Sequence, residues 1–316
     1  MPNFQGVWSL SEQYQNAGIW PSPPQYVLFA GGFSPATNTI QQFDAASGGT
    51  ATDFGDLTVA RWGGAGLSST TRGIFASGDS GTGNSFTNVI DFVTLASAGN
   101  ASDFGDLSIE LRGNMAGLAS STRGIIAGGS NDTSPTYYNV ISYITTASAG
   151  NASDFGDLTT GRRATGSASS TRGLISGDFN GSAVDVIDYV SIESAGNAID
   201  FGDLTVGRYS LAAVASATRS VAGGGYDGSV QTNIMDYVTI ASAGNATDFG
   251  DLTVAVNERA GAATLTTGLF AGGTSSTSGV DKITIASVGN ATDFGDLLSA
   301  VSGAMGASGS VASVQP

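Results

Sequence analysis

The side chains able to do chemistry in this chain are carboxylates, arginines, tyrosines and hydroxyls, and they recur at fixed spacing. The string Asp-Phe-Gly-Asp-Leu occurs six times, starting at Asp53, Asp103, Asp154, Asp200, Asp248 and Asp293. Each copy sets two carboxylates three residues apart, as Asp53 and Asp56, an arrangement that suggests a divalent cation or acid–base work. Calcium takes roughly six to eight oxygens, and an isolated pair of carboxylates supplies too few. A two-carboxylate glycosidase is formally open, yet no carboxylate departs from the repeat to mark a unique pocket. The six strings hold 12 of the 26 acidic residues, so nearly half of the acidity reads as scaffold. In that reading Phe fills space between units, Gly permits a bend or bulge and Asp caps exposed backbone N–H groups.

What is absent narrows the chemistry further. The 316 residues include no cysteine and no histidine. That excludes disulfides, thiolate nucleophiles, a Ser-His-Asp triad and imidazole or thiolate metal centres. No cofactor and no metal is therefore expected. A net charge of −15 with only 11 basic residues opposes a nucleic-acid partner. No apolar run approaches the ~18 residues that cross a bilayer, so membrane insertion is not expected. The N-terminus lacks a signal peptide's basic and apolar regions.

The elements that position these residues follow from the period. The six strings are separated by 50, 51, 46, 48 and 45 residues, a spacing typical of propeller blades. The units are rich in Gly, Ser, Thr and Val, which favour strands and turns over helix. One unit divides into four strand-like pieces: A (Gly63–Ser69), B (Arg72–Gly78), C (Asn88–Ala96) and D (Ser102–Ser108). B and C are apolar at consecutive positions, so both of their faces need cover, as in a blade sandwiched between blades. The expected fold is all-β, a propeller of six four-stranded blades spanning 25–316, preceded by a non-propeller segment, 1–24. The first unit lacks an A piece, and Gly303–Ala307 near the C-terminus is expected to supply it. A seventh B-like piece at 309–314 has no blade of its own.

In an up-and-down blade the D–A and B–C connections share one face, and the A–B and C–D turns share the other. Arg72, Arg123, Arg172 and Arg219 fall in A–B turns. Arg61, Arg112, Arg162, Arg163, Arg208 and Arg259 fall in D–A connections, beside the most variable loops. Those loops and connections also carry Trp62, Phe86, Tyr137, Tyr138, Phe179, Tyr209 and Tyr226. Arginine and aromatic side chains are enriched where proteins bind partners, so this set is the candidate recognition face. The alternative for the arginines is pairing with the preceding Asp of the same unit, such as Asp56 with Arg61. The Asn-Ala-Ser/Thr strings at Asn100, Asn151, Asn245 and Asn290 read as C–D turns rather than as glycosylation sites.

The repeat resembles the kelch family. The residues that carry this are the di-glycines ending strand B (Gly31-Gly32, Gly128-Gly129, Gly223-Gly224, Gly272-Gly273, with Ser77-Gly78 and Gly177-Asp178 as weaker versions) and an aromatic in strand C (Phe92, Tyr143, Tyr189, Tyr237). Where kelch blades carry Trp in strand D, this chain has Phe54, Phe104, Phe155, Phe201, Phe249 and Phe294. Asp-Phe-Gly also resembles the kinase magnesium motif, but no accompanying kinase loop is present. The kelch-like copper oxidases need histidine and a cysteine-linked tyrosine, which this chain lacks.

Residues 1–24 have their own pattern. Ser9-Leu10-Ser11-Glu12 reads as a capping box, and Trp8, Leu10, Tyr14, Ile19 and Trp20 require a surface to bury against. Pro21, Pro23 and Pro24 then form a stiff linker. Gly6–Pro21 resembles an N-terminal signature of tailed-phage structural proteins, and Asp236–Thr253 is similar to repeats in marine phage virion proteins. The resemblance implies a virion component, a tail fibre or tail-associated protein, whose partners are other virion proteins and a host surface glycan, with self-association compatible. A cell-surface or secreted lectin-like propeller is the alternative.

Overall fold

The computed structural model describes residues 25–33, 35–81, 85–111, 113–131, 136–275 and 277–308. The segment carrying Trp8, Leu10, Tyr14, Ile19 and Trp20, the residue Arg112 and the seventh B-like piece lie outside the described residues. No helix occurs among those described. Six four-stranded antiparallel sheets form a ring, a six-bladed β-propeller.

The innermost strands are Met305–Ser308, Ala65–Ser68, Ala116–Ala119, Thr165–Ala168, Ala212–Ala215 and Ala260–Ala263, for blades 1 to 6 in that order. Blade 1 is completed by Tyr26–Ala30, Thr39–Asp44 and Thr52–Asp56. Its inner strand comes from the far end of the chain, with Val27 opposite Ser308 and Ala30 opposite Met305. The strand expected near Gly303–Ala307 is thus present and closes the ring.

Small residues on the inner strands let six backbones converge. A Cβ on Gly66 would lie 2.2 Å from the Gly306 carbonyl oxygen, and one on Gly117 would lie 2.3 Å from that of Gly66. Glycines at this position bring neighbouring inner strands backbone to backbone, with Ala213 standing in their place in blade 5. Strand B of every blade is buried along almost its whole length. Apolar clusters lie between blades. One joins Leu28, Ile40 and Phe54 of blade 1 to Phe75 and Val93 of blade 2. Phe54 therefore fills the gap between units, as its repetition implied.

The glycine of Asp-Phe-Gly has two roles. The strand C–D register shifts between Ile40 and Gln41, opposite Gly55 and Asp53, which places Phe54 in a bulge. A Cβ on Gly55 would also lie 2.3 Å from the Gly99 carbonyl oxygen of the next blade. The same contact recurs at Gly105 with Gly150, Gly156 with Gly196, Gly202 with Gly244 and Gly250 with Gly289.

Candidate functional site

Backbone hydrogen bonds fix which connections share a face. Trp62 and Asp79, Arg163 and Phe179, and Tyr209 and Tyr226 join D–A connections to B–C loops. The A–B turns meet the C–D side, as Leu95 N–H donating to the Thr71 carbonyl shows. Tyr26 and Ser308 both lie at this second face, opposite the variable loops.

Four of the arginines assigned to the recognition face do not belong to its surface. Arg61, Arg162, Arg208 and Arg259 are buried. Each forms an ion pair with a strand C aspartate of the blade it leads into: Asp91 at 2.8 Å, Asp188 at 2.9 Å, Asp236 at 2.6 Å and Asp281 at 2.7 Å. Arg61 Nη2 also donates to the Phe75 carbonyl, and Arg162 Nη2 to that of Ile175. Threonines from the preceding blade complete the latch. Thr58 donates to Asp91 through both N–H and Oγ1, and Thr159 does so to Asp188. The expectation of ligand contact is corrected for these four, and so is the suggested pairing of Arg61 with Asp56. Burial pushes the guanidinium pKa of Arg61, Arg208 and Arg259 down, against the opposing pull of the paired aspartate.

The A–B turn arginines hold blades together on the opposite face. Arg72 lies 4.5 Å from the Phe92 ring centre and donates to the Thr146 carbonyl of the next blade. Arg123, Arg172 and Arg219 repeat this over Tyr143, Tyr189 and Tyr237, donating to Ile192, Ile240 and Ile285. The C–D turn asparagines are also more than turn residues. Asn100 Oδ1 accepts from Asp56 N–H of the preceding blade, and Asn151, Asn197, Asn245 and Asn290 repeat the contact.

What remains at the loop face is an aromatic row over blades 3 to 5. Tyr137 packs on Phe179 at 5.7 Å between ring centres, Phe179 on Tyr209 at 5.0 Å, and Tyr209 on Tyr226 at 5.2 Å. Arg163 lies 5.2 Å from the Phe179 ring centre and 6.0 Å from that of Tyr209. All five side chains are half-buried. Trp62 is elsewhere, against Phe33 at 5.2 Å, and Phe86 stands in the blade 2 hairpin opposite Asp79. Tyr138 sits against the core between blades 2 and 3, its hydroxyl accepting from Asn131 Nδ2 at 2.7 Å.

Asp178 anchors this row, and the sequence reading did not single it out. It follows Gly177 at the end of strand B, where other blades have Gly32, Gly129, Gly225 and Gly273 at positive φ. Its own φ is 81°, a conformation uncommon for a residue with a side chain. The reason lies in the connections. Gly63, Asn114, Ser210, Glu258 and Gly303 take positive φ just before an inner strand, and backbone bonds link several of them around the axis. Glu258 N–H donates to Ser210, Gly303 N–H to Glu258 and Gly63 N–H to Gly303. The connection into blade 4 has no positive-φ residue at this point. Ser210 N–H instead donates to Asp178 Oδ2 at 3.0 Å, and Asn114 Nδ2 donates to the same oxygen at 3.4 Å. The carboxylate thus replaces a missing carbonyl.

Asp178 is fully buried and its Oδ1 lies 3.5 Å from Arg163 Nε, outside hydrogen-bond geometry. Burial raises its pKa, while Arg163 and the bonds from Ser210 and Asn114 oppose the rise. Two axial cavities, of about 70 and 60 Å3, are lined by the inner strands and are of a size for a few waters. No group of three or more acidic, histidine or cysteine residues able to hold a metal occurs among the described residues. No protein-family model matches the chain, and no curated protein matches its sequence.

Proposed function

We propose that this chain is a non-enzymatic structural protein of a phage particle. Residues 1–24 dock on other virion proteins, and the propeller presents its loop face to a host surface or a neighbouring subunit. The observation that carries the reading is the opposed placement of two features. Tyr26 and Ser308 lie together at the A–B face, so residues 1–24 enter the propeller there. The aromatic row with Arg163 lies on the opposite face. A protein that anchors on one side and contacts a partner on the other needs this polarity. The phage-like strings at Gly6–Pro21 and Asp236–Thr253 give the particle its identity in this reading.

Mass spectrometry of particles purified from the source of this chain is the test. Peptides from the propeller in stoichiometric amount are expected. Their absence from the particles would remove the virion reading and leave the lectin-like one, which the half-buried rings also suit.

A further inference from the structure

We propose that Arg163 is the receptor for carboxylate groups of an acidic polysaccharide, a uronate-bearing glycan lying along the aromatic row. The proposal rests on the recognition face assigned above. It starts from what each of the ten arginines is doing. Four close the blade latches, four hold the A–B turns, and Arg112 lies outside the described residues. Arg163 alone among the described arginines has no hydrogen-bond partner among the described residues at either terminal nitrogen; its side chain is 25% exposed.

Its guanidinium is held in place on three sides. Nε faces the buried Asp178 carboxylate, and the guanidinium carbon lies over the Phe179 ring at 5.2 Å and over the Tyr209 ring at 6.0 Å. Gly113 completes the cradle, since a Cβ there would lie 2.6 Å from Arg163 Cδ. A guanidinium fixed this way has already lost much of its side-chain freedom, which lowers the cost of binding. Its free Nη1–Nη2 edge matches the two oxygens of a carboxylate. Asp178 beside it disfavours a doubly charged phosphate, because the second negative charge would face another carboxylate in a poorly screened setting.

A sugar suits the surroundings better than a peptide does. Tyr137, Phe179, Tyr209 and Tyr226 form a half-buried aromatic row, against whose exposed parts the C–H side of a pyranose ring can pack. Two cavities lie on the axis, away from the row.

Affinity electrophoresis of the full chain in gels containing polygalacturonate, alginate or hyaluronate tests this. Retardation by at least one of them is expected, with none by methyl-esterified polygalacturonate, whose carboxylates are capped. Arg163→Lys keeps the charge and loses the planar fork, and is expected to weaken binding at least ~10-fold. Because Arg163→Ala leaves Asp178 unpaired, the double variant R163A/D178N serves as the null variant, with its melting temperature checked. The proposal is overturned if no uronate polymer retards the chain, or if the esterified polymer does so equally. Full retention by Arg163→Lys, or tighter binding to dextran sulfate or polyglutamate, overturns it too. The particle experiment is independent of Arg163: the chain found in particles without uronate binding removes the carboxylate reading alone. Uronate binding without the chain in particles removes the virion reading alone.

Discussion

Among single residues, Asp178 makes the clearest demand on its surroundings. Its pKa is raised above the ordinary value of 3.8 by burial, so the folded chain holds this proton more tightly than the unfolded chain does. The contribution to stability is therefore fullest below that ordinary value and is lost as pH rises through the elevated folded one. Asp178→Asn keeps an oxygen for Ser210 N–H and removes the charge. Its melting temperature should rise relative to the parent as pH increases from about 3.5 to 7, and thermal scans across that range check the sign. Gly55 gives a second residue-scale prediction. Gly55→Ala drives a methyl group into the Gly99 carbonyl and should cost about 1–3 kcal/mol in urea unfolding. Gly99→Ala meets nothing within 4 Å and should stay within about 0.5 kcal/mol. The sixfold Asp-Phe-Gly string announced the bulge and the buried Phe, because both are local. Asp178 was readable only as a broken di-glycine, since the missing carbonyl it replaces belongs to a connection distant in sequence.

At the scale of elements, blades are joined by latches that span 22 to 30 residues of chain. Spacing alone placed Arg61, Arg162, Arg208 and Arg259 on the correct face but at the wrong depth. A loop position does not say whether a side chain turns outward or back between blades. The legible signal was the partner: Asp91, Asp188, Asp236 and Asp281 recur at one position of strand C, while blade 3 has Ser142 there. Arg259 shows that the pair matters more than its backbone origin. It follows its Asp-Phe-Gly aspartate by three more residues than Arg61 does, yet reaches the equivalent carboxylate. Asp91→Asn strands a buried guanidinium and should destabilise by about 3–5 kcal/mol. The joint replacement R61M/D91L should cost much less, and a double-mutant cycle in urea separates the two cases. Asn151→Ala removes one acceptor at the rim and should cost about 0.5–1.5 kcal/mol.

The whole ring has one junction unlike the rest. Between blades 6 and 1, Val301 and Gln41 stand where Arg and Asp form the latches of blades 2, 4, 5 and 6. Gln41 Oε1 accepts from Leu298 N–H at 2.6 Å, while its Nε2 is buried without a partner. Thr50 replaces the clasping asparagine, and a short parallel pairing of Gly49–Thr50 with Gly295 and Asp296 takes over. Thr267 replaces the stacking arginine of the A–B turn. Among the described residues no ion pair crosses this junction. Amide hydrogen exchange is expected to be fastest in Tyr26–Ala30 and Met305–Ser308 compared with strands A and B of blades 3 to 5. Equal protection throughout would show that the strand pairing alone compensates. The pairing itself sets an order of events during synthesis. Val27 emerges from the ribosome about 280 residues before Ser308, a delay of roughly tens of seconds at ordinary elongation rates. Through that interval blade 1 has an unoccupied inner edge, while blades 2 to 6 can assemble as each is completed. Strand Tyr26–Ala30 is made before the other five blades yet gains its inner neighbour only after them, and a nascent chain must keep that edge from pairing elsewhere until Met305–Ser308 has been made.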